Sequence, residues 1–127
     1  QLTKSPYCTL LFLWLPLERQ IIIRGKAAKV STEESEEYFN SRPRESQIGA
    51  WVSAQSQKIK DRKDLEEKLD HYTCEFEGKL VMKPENWGGF EVTPYEIEFW
   101  QGRENRLHDR LLYKTQNDSW DIVRLQP

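Results

Sequence analysis

Cysteine and histidine are scarce in this chain, and each scarcity excludes a class of chemistry. Cys8 and Cys74 stand far apart with no CxxC spacing. That excludes a disulfide framework and a zinc ribbon, and reduced thiols in a cytoplasmic setting are the expectation. His71 and His108 are the only imidazoles, and His71 falls on a helix beside acidic residues, so a metal site has no support. The six glycines form no GxGxxG or GxxxxGK(S/T), and neither HExxH nor GxSxG occurs. Long apolar runs are missing too. The longest, Tyr7 to Leu17, is eleven residues and includes Pro16, against the roughly 20 that a membrane helix needs. That run lacks a small-residue cleavage site and the sequence begins at Gln1, so a secretory signal is not expected; the chain reads as an excised piece of something longer. No excess of one charge exists either: 19 Lys and Arg face 21 Asp and Glu, which argues against a general nucleic-acid binder.

What is present is aromatic. Five each of Trp, Tyr and Phe exclude disorder, although only 37% of the 127 residues are apolar. A chain this polar, with few but bulky apolar residues, makes one domain at most, with a small core that calls for a partner surface to complete it.

The local pattern sets the expected elements. Tyr7–Trp14 reads as a buried strand stopped by Pro16, and Arg19–Val30 as a second strand with a bulge or close backbone approach at Gly25. Ser31-Thr32-Glu33-Glu34 is a capping box opening a helix through Tyr38 and Phe39, which Pro43 ends. Ser46 is read as the N-cap of a second, short helix. Asp61 caps a third, with an apolar face of Leu65, Leu69, Tyr72 and Phe76. After a loop closed by Trp87-Gly88-Gly89 come strand-like runs at Phe90–Thr93 with Ile97–Trp100, Leu107–Thr115 and Trp120–Leu125. A Gln116-Asn117-Asp118 turn joins the last two as a hairpin. The expectation is a β-rich α+β domain with its helices in the middle of the chain.

Two Arg-bearing clusters suggest anion sites. If Arg106-Leu107-His108-Asp109-Arg110 is extended, alternation puts Arg106, His108 and Arg110 on one face, where guanidinium forks match phosphate or carboxylate. From the pentapeptide alone, a solvated edge-strand face is the favoured alternative. In the second cluster, Tyr38 and Arg42 are four apart on one helix, and Arg44 and Ser46 stand where the next helix begins; the alternative is a polar turn with a routine cap. Gln20, Gln55 and Ser56 are of the type that recognises the edge of a planar heterocycle, though each also reads as an ordinary surface residue. Trp100 is either a stacking ring or core. Glu33/Glu34 and Glu66/Glu67 read as solvated helix faces, and Asn117-Asp118-Ser119 matches a glycosylation sequon without a signal to give it meaning.

Beyond these readings, a longer pattern stands out. Glu18-Arg19-Gln20, the stretch from Tyr38 through Arg42-Pro43-Arg44-Glu45-Ser46 to Trp51, Gln55-Ser56, Trp87-Gly88-Gly89, Ile97 to Gly102, Arg106 to Arg110 and the closing Arg124-Leu125-Gln126-Pro127 closely resemble the pyridoxamine 5′-phosphate oxidase family, in the family's order and over essentially the whole chain. The resemblance implies an FMN-binding split β-barrel, incomplete here because the family's N-terminal strands are missing. Residues 1–127 would be the C-terminal portion of one such domain, including the C-terminal dimerisation region. It implies a cytoplasmic homodimer with FMN at the interface, neither membrane nor nucleic acid as partner, and no metal. The implied activity is oxidation of pyridoxine or pyridoxamine 5′-phosphate to pyridoxal 5′-phosphate, with hydride passing to the flavin and dioxygen giving hydrogen peroxide. By position, Tyr38, Arg42 and Ser46 correspond to the substrate-phosphate site. Arg106, Leu107 and His108 correspond to the substrate-contacting strand, with Arg106 and His108 positioning the ring. Gln20, Gln55, Ser56, Trp100 and Arg110 correspond to flavin contacts, while Arg44 is left as local support. In the family, an upstream Arg-x-Val-Leu-Leu-Lys strand and a Tyr-Thr-Asn…Ser-Arg-Lys segment add most of the flavin-phosphate grip and a substrate-phosphate lysine. The other reading is a non-catalytic split-barrel module that binds pyridoxal phosphate or a partner chain.

Overall fold

The computed structural model describes residues 2–117 and 119–127. Its strands are β1 (Tyr7–Trp14), β2 (Arg19–Lys29), β3 (Phe90–Gln101), β4 (Asp109–Gln116) and β5 (Ser119–Arg124). Its helices are α1 (Thr32–Ser41), α2 (Arg44–Val52) and α3 (Arg62–Glu75), and 3₁₀ turns occupy Leu15–Leu17 and Glu104–Arg106. The elements group into two units: residues up to Lys29 with Phe90–Pro127, and Val30–Gly89. The helices therefore fall mid-chain between strands, as the sequence pattern predicts.

The first unit is an antiparallel sheet in the order β1-β2-β3-β4-β5. Its register slips between Arg24 and Gly25, opposite Pro94. Glycine is required there, since a Cβ on Gly25 would come within 2.5 Å of Val92 Cγ1 and 2.7 Å of the Thr93 carbonyl oxygen. The slip also lets Pro94, which has no amide to donate, sit inside one long β3 where the sequence suggested two runs. The β4–β5 hairpin closes on the Gln116–Ser119 pair, with Asn117 left-handed at φ 49°; Asp118 lies outside the described residues.

Two strand expectations are corrected. β1 is not buried: Leu11, Phe12, Leu13 and Trp14 are all exposed, on alternating faces, because β1 is the sheet edge and nothing in its own unit covers either side. β4 does not begin at Leu107. Asn105 and Arg106 are both left-handed (φ 56° and 62°), so the chain turns rather than extends until Asp109.

The second unit is helical and closes a small core of Phe39, Ile48, Val52, Phe76 and Val81, with Phe39 fully buried. Local chemistry sets its boundaries. Ser31 Oγ accepts the Glu34 amide at 3.0 Å and Asp61 Oδ1 accepts the Asp64 amide at 3.1 Å, each starting a helix. Of the expected apolar face of α3, Leu65, Tyr72 and Phe76 pack against the core but Leu69 stays exposed. The expected Ser46 cap is also corrected. Pro43 occupies the N-cap of α2, and Ser46 lies inside the first turn with its amide donating to the Pro43 carbonyl at 2.9 Å. Proline's fixed φ suits that boundary, so α2 begins two residues before Ser46.

Candidate functional site

In the helical unit, α1 ends as Arg42 turns extended (φ −78°, ψ 150°) ahead of Pro43. Gln47, from α2, donates to the Phe39 and Arg42 carbonyls, both at 3.1 Å, locking the turn between α1 and α2. Around that turn the structure brings Tyr38 and Arg42 together on one ring. Tyr38 stacks on Trp87 at 6.1 Å and 24°, and the Arg42 guanidinium lies over the same indole, 5.2 Å from its centroid. Arg42 Nη1 is buried and has no hydrogen-bond acceptor among the described residues. A buried donor without an acceptor is costly, and an anion is the group that would satisfy it. Ser46 stands four residues on, in the first turn of α2, where the helix dipole favours negative charge.

Arg44 is not part of this arrangement. Its guanidinium donates to the Lys79 carbonyl (2.9 Å) and the Phe76 carbonyl (2.5 Å) at the end of α3, the local support expected of it. Gln55 and Ser56 occupy the exposed turn after α2, where the Gln57 amide donates to the Ala54 carbonyl and Ser56 is left-handed at φ 64°.

In the sheet unit, strand register builds a second cluster. Gln20 of β2 pairs with Trp100 of β3, and Trp100 with Arg110 of β4. Three residues from distant parts of the sequence thus share one row and one face. A cavity of about 560 Å³ is lined mainly from the opposite face, by Trp14, Arg19, Ile21, Phe99, Gln101 and Leu111 among others, with Gln20 and Trp100 at its border. Arg110 is held firmly: its Nε donates to buried Glu98 at 2.7 Å and its Nη1 to the Gln126 carbonyl at 3.1 Å. The Glu98 carboxylate raises the Arg110 pKa above the ordinary arginine value.

The shared face expected for Arg106, His108 and Arg110 is not formed, because only Arg110 lies in β4. Arg106 sits in the left-handed turn and Leu107 is exposed. His108 is nonetheless fixed. Its ring packs on Trp100 at 4.8 Å, and its Nδ1 accepts the Arg103 amide at 3.1 Å, which assigns the proton of a neutral ring to Nε2.

Sequence reasoning missed several supports. Asp109 accepts from Arg103 Nε at 2.8 Å and Arg124 Nη1 at 2.5 Å, and these guanidiniums hold its carboxyl below the usual aspartate range. Gln101 accepts from Arg19 at 2.7 Å and donates to the Leu17 and Glu18 carbonyls, pinning the β1–β2 turn beside Gln20. Both depend on cross-strand register, which no local motif announces. Trp87 carries a visible signal, its Trp-Gly-Gly motif, which reads as loop closure and as part of the family resemblance but receives no site role from either. Among the described residues no cluster of metal-ligating side chains occurs, and no helix is long and apolar enough to cross a membrane.

Comparison with known proteins bears on the family and the fold. Residues 1–73 match the family model described as pyridoxamine 5′-phosphate oxidase, and residues 87–127 match that of the pyridoxine 5′-phosphate oxidase C-terminal dimerisation region. The pyridoxine/pyridoxamine 5′-phosphate oxidase of Rippkaea orientalis is 54% identical over 128 residues, covering 100% of this chain and 60% of the relative. This chain thus spans about 60% of the length of the curated relatives it matches. Among solved structures, PhzG from Burkholderia lata, in complex with tetrahydrophenazine-1-carboxylic acid, superimposes with a TM-score of 0.89 at 28% identity, over 99% of this chain and 61% of that one. An FMN-binding, pyridoxamine 5′-phosphate oxidase-related protein from Nostoc punctiforme gives a TM-score of 0.67 at 13% identity, over 100% and 66%. The fold is that of these split-barrel proteins.

Proposed function

The chain belongs to the pyridoxamine 5′-phosphate oxidase family, and from that premise we propose that its protein oxidises pyridoxamine or pyridoxine 5′-phosphate to pyridoxal 5′-phosphate. The observation that carries the reading is Arg42, whose guanidinium shares the Trp87 ring with Tyr38 and has a buried Nη1 with no acceptor among the described residues. A phosphate dianion satisfies that donor, with Tyr38 and Ser46 as neutral hydrogen-bonding partners and the first turn of α2 favouring negative charge.

FMN is the cofactor of this reading. The row of Gln20, Trp100 and Arg110 fits a flavin in chemistry, offering an amide, an aromatic face and a cation on one sheet face. Gln55 and Ser56 are assigned to the same cofactor. When bound, the flavin supplies the two-electron oxidation, with dioxygen as acceptor and hydrogen peroxide as product. The chain's own residues bind and orient: Arg42 holds one end of the substrate, while Arg106, Leu107 and His108 meet its ring. Two copies form the working unit, and their association covers the apolar faces that the sheet leaves exposed. The whole stretch is read as the C-terminal portion of one FMN-binding domain acting in the cytoplasm.

The test is turnover by the full-length protein. The expected preparation is yellow, yields peroxide with pyridoxamine 5′-phosphate, and shows a ~10–100-fold higher KM in Arg42→Ala, from loss of ~1.5–3 kcal/mol of charged hydrogen bonding. A protein that binds FMN yet releases no peroxide with either vitamer defeats the reading. The alternative is a non-catalytic split-barrel module binding pyridoxal phosphate or a partner chain. It predicts a colourless preparation whose ligand affinity is lost in Arg42→Ala.

A further inference from the structure

Trp87 makes more side-chain ring contacts in the helical unit than loop closure requires. Its indole meets Phe39 edge-on at 5.1 Å, Tyr38 in a stack at 6.1 Å and the Arg42 guanidinium at 5.2 Å. Phe39 is fully buried, so that contact ties the indole to the core. The backbone is fixed as well: the Trp87 amide donates to the Pro84 carbonyl at 3.0 Å, and Lys83 Nζ donates to the Trp87 carbonyl at 3.3 Å. The ring is thus tied to the core, and it also meets the two side chains assigned to the phosphate.

Arg42 depends on that plate. No hydrogen bond among the described residues holds its guanidinium, and its backbone has already left α1. A long, flexible side chain without an acceptor samples many rotamers unless something else restrains it. Contact with an aromatic face restrains it in a useful way, because the attraction is for the cation and uses none of the guanidinium's N–H groups as a hydrogen bond to an oxygen acceptor. The Tyr38 ring stacks on the same indole.

We infer that Trp87 is a positioning residue for substrate phosphate, holding Arg42 and Tyr38 in the geometry that receives the dianion before it arrives. The inference rests on the assignment of Arg42 and Tyr38 to the phosphate. It goes further in making the affinity for that group depend on a residue that never touches it.

The experiment compares wild type, Arg42→Ala, Trp87→Leu and Trp87→Phe in the full-length holoenzyme, with pyridoxamine 5′-phosphate and pyridoxamine as substrates. Trp87→Leu is expected to raise KM for the phosphorylated amine ~10-fold, since a cation–π contact and pre-organisation are lost together. Its kcat should stay within about twofold, and its KM for the unphosphorylated amine should not change. Trp87→Phe keeps a smaller aromatic face and should recover most of the loss, to within ~3-fold of wild type. Damage to the fold alone would move both substrates together. Should Trp87→Leu fail to fold, Trp87→Phe decides alone: a selective rise of ~2–3-fold supports the inference, and equal shifts for both amines overturn it. If Arg42→Ala loses phosphate discrimination while the Trp87 variants keep it, Trp87 is structural only and the inference fails. If Arg42→Ala keeps discrimination, the assignment of the phosphate site itself fails.

Discussion

The helical unit and the sheet unit solve the problem of burial differently. Val30–Gly89 closes around Phe39, Ile48, Val52, Phe76 and Val81 with its own residues. The sheet has longer apolar runs but buries fewer of them: Ala27 and Leu112 are its buried hydrophobics, while Leu11, Phe12, Trp14, Phe99, Trp120 and Ile122 stay exposed. Apolar content therefore does not decide where the core lies. Three helices fold their apolar stripes onto one another, whereas an open sheet presents two faces and needs a second surface for each. Exposed apolar area on this scale calls for a covering surface; residues 87–127 match the family's dimerisation region, and the chain spans about 60% of its relatives' length.

The contrast can be broken at its strongest point. Phe39→Ala should cost ~3–5 kcal/mol, seen as a large drop in the urea midpoint. Phe12→Ser, on the exposed edge strand, should cost the isolated chain ~1 kcal/mol or less while shifting the full-length protein toward monomer in sedimentation. If the two substitutions cost the same, the account of two kinds of core is wrong. Gly25→Ala sharpens the sheet side. The new methyl would meet Val92 and the Thr93 carbonyl, so a loss of ~1–3 kcal/mol is expected in the same denaturation assay, and a neutral result would show that the bulge relaxes.

The smallest effect is electrostatic. Arg103 and Arg124 lower the Asp109 pKa. Its contribution is therefore present above the ordinary aspartate value near 4 and is lost as pH falls through the lowered folded value. Asp109→Asn should flatten that part of the acid limb of the stability profile, and an unchanged limb would remove Asp109 from the account. At Glu96, burial opposes ionisation, but Arg24 and Lys114 outweigh it and lower the pKa, so the same sign applies.

What was legible in the sequence follows the range of the interactions. Ser31, Asp61, Pro43 and Gly25 act within a few residues or through backbone sterics, and their positions announce three helix boundaries and the bulge. Ser46 misled because a serine near a helix start suits both the cap and the first turn. Alternation failed at Arg106 because two successive left-handed residues interrupt the strand; Asn105 tolerates that conformation, but nothing marks Arg106 for it. The row of Gln20, Trp100 and Arg110 became visible only with the register, since its members are 80 and 10 residues apart. The exposure of β1 was illegible for a different reason: an apolar run says that a segment is to be covered, not that its own chain covers it.

The central claim is that an Arg42 held on Trp87 selects a phosphorylated substrate, and one ratio tests it most directly. That ratio is kcat/KM for pyridoxamine 5′-phosphate over kcat/KM for pyridoxamine, measured by peroxide release in wild type and in Arg42→Ala. The account predicts a strong preference for the phosphorylated amine in the wild type, reduced at least ~10-fold by the substitution. A wild-type ratio near one, or a ratio that survives the loss of Arg42, contradicts it.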